Sequence, residues 1–203
     1  MVNISPCFGY KGIMPMRRSL RARGCLALLL VAMAFSQAHA LGSKEKSPEE
    51  KAAENDKKAT SKYNDGVAKM KRADELLAQG DRPKAQKEME QATKRFAEAI
   101  EYKPDFPEAL NNLGYSLRIT GRYEESLRHY NRAIELRPDF MQAHEYRARA
   151  YLAMDSVSRA QSDYQWLVDH KYAAEADTLK MTIDAWVLAR AEGRKVSVEK
   201  LGW

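Results

Sequence analysis

The stretch from Pro107 to Phe140 reads PEALNNLGYSLRITGRYEESLRHYNRAIELRPDF. It holds two amphipathic helical patterns, a Thr120-Gly121 break between them, and a closing Arg137-Pro138-Asp139. Glycine at a break supplies the left-handed residue that ends a helix. Proline at the close cannot continue one.

The spacing recurs on both sides. Pro104-Asp105-Phe106 and Pro138-Asp139-Phe140 lie 34 residues apart, as do Phe96, Tyr130 and Tyr164 in succession. Ala99, Ala133 and Leu167 keep the same step, and so do Ile100, Ile134 and Val168. A fixed period of this length marks an array of helix–turn–helix units. Upstream, Tyr63, Val67, Met70, Ala73 and Leu77 follow helical steps of three and four up to a Gly80-Asp81 break. A second helix starting near Pro83 turns Ala85, Met89, Ala92, Phe96, Ala99 and Ile100 inward, and Pro104 ends it. Gly80 and Gly121 are 41 residues apart, seven more than the period, which is close to two helical turns. The surplus predicts an overlong second helix of about twenty residues in this unit, projecting past its neighbours.

The central unit reads Leu110-x2-Leu113-Gly114-x2-Leu117, then Ser126-x3-Tyr130, with Ala133 and Pro138 to follow. In the next unit His144, Arg147, Ala148, Tyr151, Ala160 and Tyr164 take the matching places, and the closing proline is replaced by Tyr172. This pattern resembles the tetratricopeptide repeat family. The resemblance implies an all-α fold, a right-handed superhelical α-solenoid of about three units with a C-terminal capping helix. The units would span about 59–106, 107–140 and 141–172, within an array covering 59–172. Gly114 and Ala148 would let the first helix of a unit approach the second, with Ser126 and Ala133 doing so from the other side. Phe96, Tyr130 and Tyr164 would fill the gaps between units, so that stability is mostly nearest-neighbour stacking.

A helix from Ala173 to about residue 192 carries a stripe of Leu179, Ile183, Trp186 and Val187 and suits the role of cap. The alternative is a helix that docks on a membrane or a partner. Residues 193–203 form a tail in which Trp203 folds back on the array or engages a partner.

The N-terminal 40 residues have a different character. Arg17, Arg18, Arg21 and Arg23 precede an apolar run from Cys25 to Phe35, too short to span a bilayer, and Ala38-His39-Ala40 is a small-x-small sequence. The order resembles a bacterial secretory signal peptide, with cleavage after Ala40 and Met16 (or Met14) as the working start. Arg17-Arg18 also loosely resembles a twin-arginine signal, although the ordinary secretory route fits better. The expected compartment is the periplasm or the exterior, with no stable membrane span after cleavage. Cys7 and Cys25 are the two cysteines of the chain, so a mature form would lack disulfides and thiolate chemistry. Residues 41–58 are charged and read as a linker with partial helicity, although Ser47-Pro48-Glu49-Glu50 has the form of a capping box.

The formal charge of +6 suggests an acidic partner at first sight. Five of the 34 basic residues and none of the 28 acidic ones lie in residues 1–40, so the remainder carries only +1. That near-neutral body offers no footprint for nucleic acid. His129 is expected to be solvated on an outer helix and His144 half-buried; His170 falls at a helix end. None has metal-ligand spacing, and no phosphate loop or nucleophile elbow occurs. The reading is non-enzymatic, with no cofactor and no metal.

What remains is a surface. In the family, first helices line a groove that holds peptide segments. By that resemblance the groove here would present Glu108, Asn111, Asn112, Tyr115, Arg118 and Ile119, then Gln142, Glu145, Arg149 and Leu152. The asparagines would bond a peptide backbone and the arginines would pair with acidic groups. One subclass grips the C-terminal carboxylate of chaperones. Asn112 matches its asparagine, but the lysine expected beside it is missing. The expected function is a periplasmic scaffold for a protein or peptide partner. The alternatives are a self-associating structural subunit, which would be a homo-oligomer, and an accessory subunit of an envelope enzyme or assembly complex.

Overall fold

A computed structural model describes residues 46–194. The signal-like segment, the expected cleavage after Ala40 and the residues from 195 onward lie outside the described residues. Seven helices and no strand occur among the described residues. They are α1 (Pro48–Ala78), α2 (Arg82–Tyr102), α3 (Pro107–Ile119), α4 (Tyr123–Leu136), α5 (Met141–Ala153), α6 (Val157–Asp169) and α7 (Ala173–Ala191). Each helix packs on the next in the chain, and first helices also touch across units, α3 on α5 and α5 on α7. This is the all-α solenoid of stacked hairpins that the period implies.

The linker expected over 41–58 gives way to helix from Pro48 onward. Ser47 caps it: the Glu50 amide donates to Ser47 Oγ at 3.1 Å, and the Ser47 amide donates to Glu50 Oε2 at 2.8 Å. Lys58 pairs with Glu54 at 2.8 Å along the same helix, and Lys103 reaches back to Asp56 at 3.0 Å. These residues lack apolar anchors, which is why they read as linker. Once Ala59 and the residues beyond it are packed, however, each further residue adds one backbone bond without a new nucleation cost.

The extra length of the first unit is shared by both helices. On α1, Ala59, Gly66 and Ala73 are buried at steps of seven; on α2, Ala85, Ala92 and Ala99 are buried at the same step. Small residues at heptad spacing keep one seam of each helix against the other. Gly66 meets Phe96 as Gly114 meets Tyr130, but the pairs are 30 and 16 residues apart in sequence. The second helix has the expected length at 21 residues. What projects beyond the hairpin is the start of α1, where residues 46–53 are exposed, and not α2.

The packing positions are filled as the repeat requires. Phe96, Ala99, Tyr130, Ala133, Ala148 and Ala160 are fully buried, and Leu113 nearly so. A Cβ built on Gly114 would lie 2.7 Å from Tyr130 Cε1, closer than carbon atoms can approach, so the glycine is what admits the ring. Tyr151 and Tyr164 are half-buried, packed against the cluster around Leu152, Leu167 and Leu179. Gly121 has φ of 81° and closes α3. Pro138 is exposed and stops α4. On α7, Leu179, Ile183 and Trp186 are buried as expected, but Val187 is exposed.

Candidate functional site

The first helices α1, α3 and α5 meet along one surface. Asn112 on α3 donates from Nδ2 to the Tyr63 hydroxyl of α1 at 3.3 Å, and accepts from Asn111 Nδ2 at 3.2 Å. The Tyr115 and Tyr146 rings are 5.2 Å apart, joining α3 to α5. The Arg118 guanidinium lies 5.2 Å over the Tyr115 ring. Burial pushes the Tyr115 hydroxyl up to about 12, with Arg118 and Arg149 pulling the other way and Asp74 adding to the rise. The Asp74 carboxyl, from α1, is itself raised by loss of hydration. Asp74, Tyr115, Arg118, Tyr146 and Arg149 thus share one electrostatic neighbourhood.

Half of the expected groove residues do not face outward. Asn111, Tyr115, Arg118, Arg149 and Leu152 are buried. Arg118 and Leu152 stand one period apart and are both sealed, at 1% and 0% exposure, so that position is interior. Leu152 belongs to the core with Ala176 and Leu179 of α7, filling the seam between successive first helices. Arg149 donates to Glu145 Oε1 from Nε at 3.2 Å and from Nη2 at 2.8 Å. Glu108 pairs with Arg137, the residue after α4; burial alone would raise its carboxyl, but the Arg137 bond and charge hold it low. Gln142 is exposed; Asn112, Ile119 and Glu145 are half-buried. Neither expected arginine is therefore poised to grip an acidic group; of the expected residues Glu108, Asn112, Ile119, Gln142 and Glu145 keep some exposure, with half-buried Tyr63 and Tyr146 beside them.

Three residues of this surface were absent from the sequence expectation: Tyr63, Asp74 and Tyr146. Two carried a signal. Asp74, Glu108 and Gln142 stand at successive steps of 34, as do Asn112 and Tyr146.

A second polar cluster lies inside the third unit. His144 is buried, not half-buried, with Nδ1 2.9 Å from Asp163 Oδ1 and Nε2 3.2 Å from the Pro138 carbonyl. Arg147 donates to both Asp163 oxygens, at 3.0 and 2.6 Å, and to Asn131 of α4 at 2.8 Å. Trp166 stacks on His144 at 3.6 Å and on His170 at 4.0 Å. One period earlier these places hold Leu110, Leu113 and His129. The polar trio thus replaces an apolar contact at one joint of the array. His129 is half-buried, against the solvated position expected, and burial followed by Arg128 lowers its pKa. No group of three or more His, Cys, Asp or Glu among the described residues is placed to hold a metal ion. No described helix is long and apolar enough to cross a membrane.

These joints repeat a hairpin whose crossing is set by a small residue under an aromatic ring. Residues 70–139 match the tetratricopeptide repeat family model. The match opens inside α1, eleven residues before Asp81, so it takes only the end of that long helix, then α2, α3 and α4. Solved tetratricopeptide repeat domains are among the structures similar to the chain, at low identity. The first such domain of Spaghetti (RPAP3), bound to an HSP90 peptide, is 15% identical, covering 62% of this chain and 95% of its own, with a TM-score of 0.48. The second domain of human RPAP3, in complex with an HSP70 peptide, is 16% identical over 62% and 98%, also with a TM-score of 0.48. The TPR2B domain of yeast Sti1 is 21% identical over 63% and 97%, with a TM-score of 0.43. No curated protein matches the chain.

Proposed function

We propose that this chain is a non-enzymatic scaffold, exported to the bacterial periplasm, that holds a peptide or protein segment against α1, α3 and α5. The observation carrying this reading is the meeting of half-buried Tyr63, Asn112 and Tyr146 from three separate first helices, with buried Tyr115 packed beneath Tyr146. Aromatic faces offer contact area with few rotamers to freeze, and an asparagine amide can bond a peptide backbone in either direction. Export rests on the basic, apolar and small-residue order of residues 17–40.

The geometry also shapes the ligand. Arg149 and Glu145 hold each other, and Arg118 is sealed over Tyr115, while Asp74 is exposed. The segment held here is therefore neutral or mildly basic, with at least one apolar side chain, in place of the acidic group expected from sequence. A tagged chain with Asn112→Ala and Gln142→Ala should keep its melting curve and recover several-fold less partner from a periplasmic extract. Undiminished recovery by the folded variant would place the contact on another face.

A further inference from the structure

The helix α7 carries two apolar faces. One is buried, through Ala176, Leu179, Ile183 and Trp186. The other lies open: Met181 is 74% exposed and Leu188 57% exposed, with Thr178 and Ala185 exposed beside them. The hydroxyls on this face are already satisfied by the helix itself. Thr178 Oγ1 donates to the Ala174 carbonyl at 2.8 Å, and Thr182 Oγ1 to the Thr178 carbonyl at 2.9 Å.

The repeat says what this face is. Steps of 34 run from Leu113 through Arg147 to Met181, from Gly114 through Ala148 to Thr182, and from Leu117 through Tyr151 to Ala185. In α3, Leu113, Gly114 and Leu117 are buried, with Gly114 against the Tyr130 ring of the second helix. The open face of α7 is thus the side that earlier first helices turn to the second helix of their own unit. A terminal cap needs a polar outer face; here the charges stand along one edge, at Asp177 and at Asp184 paired with Lys180 at 2.7 Å, and the middle of the face is Met181 and Leu188.

The exit from α7 says what covers it. Left-handed residues at Gly80, Gly121, Asp155, Lys171 and Gly193 close α1, α3, α5, α6 and α7. At Gly193 the amide donates to Arg190 O at 3.0 Å and the next amide to Ala189 O at 2.9 Å; at Gly121 the same two bonds, to Arg118 O and Leu117 O, are 3.0 and 2.8 Å. At each of the first four turns the chain reverses and packs on the helix just left. The fifth residue after each is Ala85, Ser126, Ala160 and Ala176, all buried; after Gly193 it is Val198. The inner face of α7 is already taken, so a reversing chain meets the outer one.

We propose that the segment following Arg194, with Val196, Val198 and Leu201 as its apolar side chains, packs across the Met181–Leu188 face, making α7 the first half of a fourth unit and not a cap. Nine residues extend at most about 30 Å, and Arg194 lies only about 20 Å along the helix from Met181, so the segment reaches. The test uses the full chain with Cys7→Ser, Cys25→Ser and Leu188→Cys, and follows the rate of thiol labelling by a maleimide. That rate should rise at least tenfold when the chain is ended after Arg194, and should rise likewise in the full chain carrying Val198→Glu. Circular dichroism of all three should agree. Equal rates in the full and shortened chains would overturn the proposal. Protection that disappears on dilution would also overturn it, and would assign the face to a second copy of the chain.

Discussion

Tyr130→Ala should lower the stability of the array by about 3–5 kcal/mol, the range for removing a buried aromatic side chain. The ring is fully buried. It fills the space over Gly114 on α3 and lies 6.4 Å from the Tyr146 ring on α5, so its loss opens one hairpin and the joint to the next. Stability in such an array is a sum of unit and neighbour terms, and this residue belongs to both. Denaturant melts give the number. The coupling to Gly114 provides a sharper check. Gly114→Ala alone forces its new Cβ into the ring, at the cost of overpacking, about 1–3 kcal/mol. In the Tyr130→Ala background the same change has room, so its penalty should vanish. An additive double-mutant cycle would mean that the ring and the glycine do not meet.

Asp163→Ala should also destabilise by about 3–5 kcal/mol, because it strips a buried carboxylate from two groups that need it. Asp163 is 3% exposed and accepts from His144 and both forks of Arg147. Removing it leaves Arg147 half-buried beside a histidine with one acceptor fewer. The replacement should be far milder when the whole trio is exchanged for its counterparts in the preceding unit. His144→Leu with Arg147→Leu and Asp163→His recreates the pattern of Leu110, Leu113 and His129. Exchanging a buried ionic group for well-packed residues is commonly neutral or stabilising. A triple variant as unstable as Asp163→Ala would show that the joint between α5 and α6 is not interchangeable with that between α3 and α4.

The fold was legible because its information is periodic. Phe96, Tyr130 and Tyr164 announce the unit length, and the two glycines at 80 and 121 announce where hairpins turn. The start of α1 was less legible. Residues 48–58 have no apolar period, and their helix depends on a capping box and on packing that begins only at Ala59. The division of extra length between α1 and α2 was also hidden, because Gly66 pairs with Phe96 across the whole hairpin and not at the usual distance.

The candidate surface was half legible. Family likeness pointed to the first helices, whose side chains do meet along one surface, but burial along a helix depends on the neighbour it meets. Arg118 and Arg149 were expected as ligands because the resemblance put them on the groove side of first helices. Arg118 lies sealed beside Tyr115, and Arg149 is tied back to Glu145. Leu152 shares the period position of Arg118, and its chemistry was the better guide to that site. Asp74 and Tyr146 were missed although each sits one period from a residue already chosen.

The most direct measurement is site-specific photo-crosslinking in intact cells. A photoreactive residue placed at Asn112 or Gln142, on the first-helix face, should give a discrete adduct with another polypeptide in the periplasmic fraction. The same residue at Glu135, exposed on the second helix α4, should give none. Adducts from position 135 alone, or adducts confined to the cytoplasm, would contradict a periplasmic scaffold that holds its partner on α1, α3 and α5.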